Sequence, residues 1–452
     1  MNKNVLLISI DSVRPEAIGP YPEHFSLEDT FPYKVDTPTL DVLAADGALF
    51  TKLITQAPYT PASHASFLTG LNPPGHAVRG FFGYRLSERA ETLAQRLQRE
   101  GYRTSAFVGS DALNPRYGLD RGFEVYDAQF ERKIGGWPRG DHRRAGSETT
   151  QRALKWLRQA GRPFLVFVHY FDVHEVAEHV YLQSDRLARW LRKGRSTRLA
   201  RGPVRRWLQR LETGYANCRQ RGKPFHVRQT QRVDKQIGLL VRGLEEQGAY
   251  DDTIIVVMSD HGEAFGEHGE FGHRQYLYDT TLSVPLILKA LPDYRGRTID
   301  TPIRSIDLVP TLYDLLGLDR HPSNGCKPVE GASLLPLLHG TNGDQREAYS
   351  ETSLERSLKQ VNELKYHFVS MRTPRWKLIV NMLDGSRELY DVVRDPNETQ
   401  NVAARRADVA ERLSARAMRT YESGGESPPD VSGYTDRQLE EVETRLRDLG
   451  YA

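Results

Sequence analysis

Residues 253–273 read TIIVVMSDHGEAFGEHGEFGH. The run from Thr253 to Met258 is β-branched and apolar throughout, as in a buried strand, and it stops at Ser259, Asp260, His261 and Gly262. In an open α/β sheet such a strand carries its last residues to the edge where ligands bind. Asp260 and His261 there offer one hard oxygen and one nitrogen donor to a divalent cation. A turn in which Asp260 merely caps the backbone is the competing reading of Asp-His-Gly alone. His273 follows His261 by twelve positions.

A second run of the same type, Val5 to Ile10, ends in Asp11, so two carboxylates are expected at the tips of two central strands. A third segment, APYTPASHASFLTG at residues 57–70, places Thr60 directly before Pro61, a residue favoured in the first turn of a helix. Small residues at 62, 63, 65 and 66 let that helix pack closely. Thr60 is therefore expected at a helix N-terminus, where free N–H groups and the macrodipole favour an anion and ease ionisation of a hydroxyl. A cation held by Asp11, Asp260 and His261 would ease it further, whereas Thr60 as an ordinary N-cap is the plain alternative.

The remaining chain alternates amphipathic helices with short apolar strands. Helices are expected near 39–45, 93–100, 147–160, 230–246 and 307–316, and strands near 105–108, 164–170 and 285–289. This predicts an α/β fold, a mostly parallel central sheet with helices on both faces, over residues 1–346. A smaller C-terminal antiparallel subdomain is expected at 347–421, with strands at 377–381 and 388–392 and a polar helix at 402–421. A Gly/Ser/Pro-rich flexible connector and a charged terminal helix are expected at 422–452. The length of 452 residues also suits two structural units.

Together these segments resemble the sulfatase branch of the alkaline phosphatase superfamily. The matching blocks, in order, are NVLLISIDSVRPE, TPTLDVLAADGALF, ASFLTG, TLAQRLQREGYRTSAF, HYFDVH, DDTIIVVMSDHGEAFGEHG, VPLIL, EGASLLPLLHG and ELYDVVRDPNETQNVA. The resemblance implies a metal at Asp11, Asp260 and His261, with the position-60 hydroxyl as nucleophile and further ligand. Sulfatases carry an aldehyde-forming Cys or Ser in a Cys-x-Pro-x-Arg context; the aligned residues here are Thr60, Ala62 and His64, so no formylglycine is expected. The family's second N-terminal Asp aligns with Ser12, its Gly-Lys-Trp-His segment with residues 108–111, and its later Lys with His273.

A Thr nucleophile with Asp, Asp and His ligands resembles instead the phosphorus-handling relatives, the nucleotide phosphodiesterases and phosphoethanolamine transferases. The transferases carry histidines matching His174 and His273. The phosphodiesterases hold a second zinc through Asp-x-x-x-His, which here reads Asp172 to Val176 and is incomplete. The expectation is a metal-dependent phosphate-ester hydrolase, mono- or diester, working through a phospho-Thr60 intermediate released by water. The alternatives are a sulfate-ester hydrolase, a phosphoryl transferase and a non-catalytic metal-binding relative. Thr60, His174 and His273 are the expected catalytic groups, and His64, Asp172, His174 and His273 the expected substrate contacts. His64, like His169, also fits a purely structural role. Zinc or manganese suits the mixed ligand set, and calcium or magnesium is compatible with it.

Two cysteines, Cys218 and Cys326, cannot build a disulfide framework, and the CKPVEGASLL context of Cys326 mimics the sulfatase signature only superficially. With a strand starting at residue 5, no leader and no apolar run long enough to span a membrane, a cytoplasmic protein is expected. Net charge is only +3, yet the stretch from Asp185 to Arg232 holds thirteen Arg and two Lys against Asp185 and Glu212. This basic insertion, 181–228, would lie over the site and steer an anionic small-molecule or conjugate substrate. Nucleic acid or an acidic membrane surface would be its other partners, with Trp190 and Trp207 as anchors, and a solvated helical hairpin is the bland reading. A homo-oligomer is compatible with the sequence.

Overall fold

The computed structural model describes residues 3–22, 34–80, 83–130, 143–174, 203–323, 325–341, 346–355 and 364–424, with the side chains of 203–221 left aside. Nine strands form the main sheet: β1 (Asn4–Ile10), β2 (Ala48–Ile54), β3 (Arg103–Phe107), β4 (Val125–Asp127), β5 (Phe164–Tyr170), β6 (Thr253–Ser259), β9 (Ser283–Lys289), β10 (Arg297–Ile299) and β11 (Ile303–Arg304). A small hairpin, β7 (Ala264–Phe265) with β8 (Phe271–Gly272), projects from the β6 end. The order is β10-β2-β9-β6-β1-β5-β3-β4, with β11 beside β2. Only β9 runs against its neighbours β2 and β6; the other pairings are parallel.

The parallel core explains the apolar runs. Every residue of β1, β5 and β6 is buried, because helices cover both faces and neither face has to meet water. One face packs under α1 (Pro38–Ala45), α4 (Gly146–Leu157) and the C-terminal half of α5 (Pro203–Glu246). The other packs under α2 (Thr60–Thr69), α3 (Leu93–Arg99) and α6 (Leu308–Leu315). The helix expected at 230–246 is in fact the end of a 44-residue helix that passes through Pro224. In its final turns Val233, Ile237, Leu240 and Leu244 meet the sheet at apolar spacing.

A second sheet, β12 (Ala348–Glu355), β13 (Leu364–Arg372), β14 (Trp376–Asn381) and β15 (Arg387–Asp391), is antiparallel throughout. Helix α7 (Ala407–Glu422) packs on one of its faces through Val409, Leu413 and Ala417. The other face meets the main sheet through Ile379, Tyr390, Ile54, Leu277 and Leu282. Lys377, fully buried, pairs with Asp279 at 2.6 Å and with Glu398 at 2.8 Å and so ties the two sheets together. The expectations for Leu187, Trp190 and Leu191 of the basic insertion and for the terminal connector and helix fall outside the described residues, apart from the last turn of α7. Those for Trp207, Leu208 and Leu211 concern side chains equally outside them.

Candidate active site

Three adjacent strands, β5, β1 and β6, end at the same edge of the sheet, and the N-terminus of α2 points at it. The edge carries Asp11 after β1, Asp260 and His261 after β6, and His174 four residues after β5. Helix α2 begins at Thr60 with Pro61 in its first turn and closes on Gly70, whose φ of +71° is the left-handed value glycine tolerates. All ten residues of α2 are buried, and none in its first turn is acidic, so the positive end of its dipole faces the strand-edge carboxylates directly. Ser63 donates to Asp260 O at 2.6 Å and locks the helix to β6.

Asp11, Thr60, Asp260 and His261 are all fully buried. Thr60 Oγ1 donates to Asp11 Oδ2 at 3.1 Å and lies 3.4 Å from His261 Nε2. His261 Nε2 in turn stands 3.7 Å from Asp11 Oδ1 and 3.4 Å from Asp260 Oδ2. The imidazole tautomer follows from the other nitrogen. His261 Nδ1 is 3.0 Å from Gly262 O, a pure acceptor, so the proton sits on Nδ1 and the Nε2 lone pair faces two carboxylates. Asp260 Oδ2 makes no hydrogen bond. Burial pushes the Asp260 carboxyl well above the usual range, and the charge of Asp11 pushes it further. Burial opposes the Asp11 charge too, but His174, His169 and His261 around it hold that carboxyl low.

Three lone pairs converging with no lysine or arginine among the described residues bound between them is an arrangement a divalent cation resolves. Asp11, Asp260 and His261 can each offer one ligand atom within 4.8 Å of the others, and Thr60 Oγ1 lies among them. The donor chemistry therefore fits a metal. Ser12, whose φ is +63°, accepts local strain to bring its N–H to Asp260 Oδ1 at 3.2 Å and its hydroxyl to Asp11 Oδ1 at 2.7 Å. These two bonds orient both acids.

Across the site, His273 Nδ1 donates to Pro58 O at 2.9 Å, which leaves its Nε2 as acceptor for His174 Nε2–H at 3.0 Å. The β7–β8 hairpin delivers His273, and its ring stacks 4.1 Å from that of His261. Burial lowers the His174 pKa to about 3 and places that of His273 well below the ordinary value, so both are neutral near pH 7. His64 Nδ1 donates to Thr60 O at 2.8 Å, bracing the Thr60 backbone, and His64 lies in a second potential ligand group with His169 and Asp260. Asp172, expected as a substrate contact, accepts the Gly146 N–H at 3.0 Å and so caps the start of α4.

Two features escaped the sequence reading. Arg274 follows His273 with a φ of +95°, and its charge bears on His174, His261, His273 and Glu263. It supplies the fixed positive charge that neutral histidines cannot. Glu263 is fully buried beside Asp11, and burial first, then that neighbour, lifts its carboxyl to about 8. Both lie within the 253–274 stretch, where attention to chain neighbours of the ligands would have found them. A cavity of about 780 Å³ lined by Arg304, Arg346, Arg416 and Arg419 lies near Asn72, beyond the end of α2 opposite Thr60. Among the described residues no helix is long and apolar enough to cross a membrane.

Comparison with known proteins fits this geometry. The Sulfatase family model matches residues 3–318, and the model for the C-terminal region of N-sulphoglucosamine sulphohydrolase matches residues 266–422. An arylsulfatase of Clostridium perfringens is 24% identical over 89% of this chain and 90% of its own length. A choline-sulfatase of Rhizobium meliloti is 24% identical over 88% and 82%. Among solved structures, a 2-O GAG sulfatase superposes with a TM-score of 0.70 at 20% identity, covering 98% of this chain and all of that one. A phosphonate monoester hydrolase of Agrobacterium radiobacter gives 0.66 at 22% identity, covering 96% and 99%. The expected phosphate-ester hydrolase is thereby corrected, since the relatives are mostly sulfatases. The reason is physical: a hydroxyl, two acids and an imidazole around a cation suit any tetrahedral oxyanion, so the residue types at position 60 do not distinguish sulfur from phosphorus. With a family model spanning both the Asp11 and the Asp260 strands and the helix between them, the chain belongs to the sulfatase family.

Proposed function

We propose that this protein is a metal-dependent sulfate-ester hydrolase in which Thr60 is the attacking group. The observation that supports it most is the buried convergence of Asp11, Thr60, Asp260 and His261, with no Lys or Arg of the described residues bound among them, in a sulfatase-family chain. Asp11, Asp260, His261 and Thr60 Oγ1 would hold one divalent ion, for which zinc or manganese suits the mixed donors best. When bound, the ion supplies Lewis acidity that stabilises charge on the sulfuryl oxygens and on the threonine oxygen.

The chain's own groups set the rest. Thr60 Oγ1 already donates to Asp11 Oδ2, so its proton has an acceptor as the oxygen turns to sulfur. Attack forms the Thr60 O–S bond and breaks the bond from sulfur to the ester oxygen, and the leaving alcohol takes the proton that Thr60 gave up. Water then attacks sulfur and breaks the Thr60 O–S bond, one of its protons passing to the Thr60 oxygen as hydrogen sulfate is released. The neutral His174 Nε2–H hydrogen-bonds an anionic oxygen in place of His273 Nε2. Arg274 balances the substrate's charge. Initial rates on matched aryl sulfate, aryl phosphate and bis-aryl phosphate esters test the proposal. A preference for the sulfate, lost in Thr60→Ala, is the expected result; a preference for either phosphate ester contradicts it.

A further inference from the structure

His169 sits on β5 opposite Ser9 of β1, with its side chain fully buried and its ring edge-on to His64 at 5.1 Å. Its two nitrogens face different partners. Nδ1 lies 3.3 Å from the Gly109 N–H. A backbone amide can only donate, so Nδ1 accepts and the neutral ring carries its proton on Nε2. That Nε2–H stands 3.4 Å from Asp11 Oδ2 and makes no hydrogen bond. The approach of Gly109 needs a glycine: a Cβ there would lie 2.9 Å from His169 O and 3.1 Å from Phe171 N. The loop after β3 thus fixes the tautomer of a ring whose only proton is presented to the carboxylate that follows β1.

Asp11 Oδ2 is also the oxygen that accepts the Thr60 hydroxyl, at 3.1 Å. The 3.4 Å separation from His169 is longer than a well-formed hydrogen bond, so the second donor is poised beside one already in place. We infer that His169 is a positioning residue that holds Asp11 in its cation-binding orientation and remains as the donor to Oδ2 when Thr60 turns its hydroxyl to the substrate. The inference rests on the cation site proposed above. Groups that orient a ligating carboxylate usually matter by about 10- to 100-fold in metal affinity.

The test uses two isosteric amides. His169→Gln can set an amide N–H near the Nε2 position, whereas His169→Asn reaches only the Nδ1 position, meeting Gly109 and leaving Asp11 without the donor. Mn²⁺ affinity is measured on the full chain by calorimetric titration after chelation, with thermal melting of the chelated proteins as the check on folding. His169→Asn is expected to weaken Mn²⁺ binding by about 10-fold or more, and His169→Gln to stay within about threefold of the wild type. Equal affinity in the wild type and His169→Asn overturns the inference while leaving the cation site standing, as does equal weakening in both variants. Wild type that binds no Mn²⁺ removes the cation site and the inference with it. If His169→Asn melts before it can be titrated, the His169→Gln affinity decides: a loss of tenfold or more overturns the inference.

Discussion

Two pairs of acids in the described residues are balanced in opposite ways. Asp279 and Glu398, between the two sheets, share Lys377 at 2.6 and 2.8 Å, and Arg372 stands 3.4 Å from Asp279. Burial works against the Asp279 charge, but Lys377 and Arg372 outweigh it and hold its pKa at about 2. Asp11 and Asp260 are buried more deeply still, yet their close partners are hydroxyls, imidazoles and backbone N–H groups. The first pair brings its own cations and serves structure. The second is arranged for a cation from outside, and that difference is what marks it as a site.

The sharpest way to break the comparison is to neutralise one acid of each pair. Asp260→Asn is expected to reduce sulfate-ester turnover by about 10³-fold or more, since it removes a group that acts together with Thr60 and His261. In chelator the same variant should melt above the wild type, because it relieves like-charge repulsion; a lower melting temperature there argues against an unbalanced pair. Lys377→Met should do the reverse, leaving Glu398 without Lys377 and Asp279 with Arg372 alone. It is expected to lower stability by about 3–5 kcal/mol, read by denaturant unfolding, with Mn²⁺ affinity unchanged. Loss of Mn²⁺ binding in Lys377→Met would show that the two clusters are coupled rather than separate.

The pH response sharpens the contrast. Asp279 has a folded pKa below its unfolded value of about 3.9, so its contribution is present above that value and is lost as pH falls through about 2. Asp260 and Glu263 have raised carboxyls, so in the chelated protein their contribution is complete below about pH 4 and is lost as pH rises, through about 8 for Glu263. Glu398, raised to about 7, adds a loss of the same sign with or without metal. The difference between chelated and metal-loaded melting temperatures therefore isolates the second pair and should widen from pH 5 to pH 8. A gap that stays constant contradicts the assignment. Smaller still, Arg274→Gln should raise KM for an aryl sulfate by about tenfold, with kcat falling less, if its charge acts in binding.

The strand tips were legible in the sequence because parallel strands buried on both faces write themselves as unbroken apolar runs, and the residue that ends each run stands at the ligand edge. Thr60 was legible because Pro61 fixes the helix start. What depends on contacts across the fold was not. That Asp172 serves the start of α4, that Pro58 O sets the His273 tautomer, and that Arg274 charges the pocket are relations between segments distant in the chain or set by backbone angles no residue type announces. The kind of ester was not legible either, because sulfate and phosphate present similar tetrahedral oxyanions to the same donors. Here the family match is what supports the proposed sulfate-ester reading.

The central claim is that Asp11, Asp260, His261 and Thr60 share one divalent cation. It is tested most directly by elemental analysis of the purified chain together with Asp260→Asn and Lys377→Met. The account predicts one tightly bound divalent ion per chain in the wild type and in Lys377→Met, and none in Asp260→Asn. An ion retained in Asp260→Asn, or none in a wild type that still hydrolyses an aryl sulfate in chelator, would contradict it.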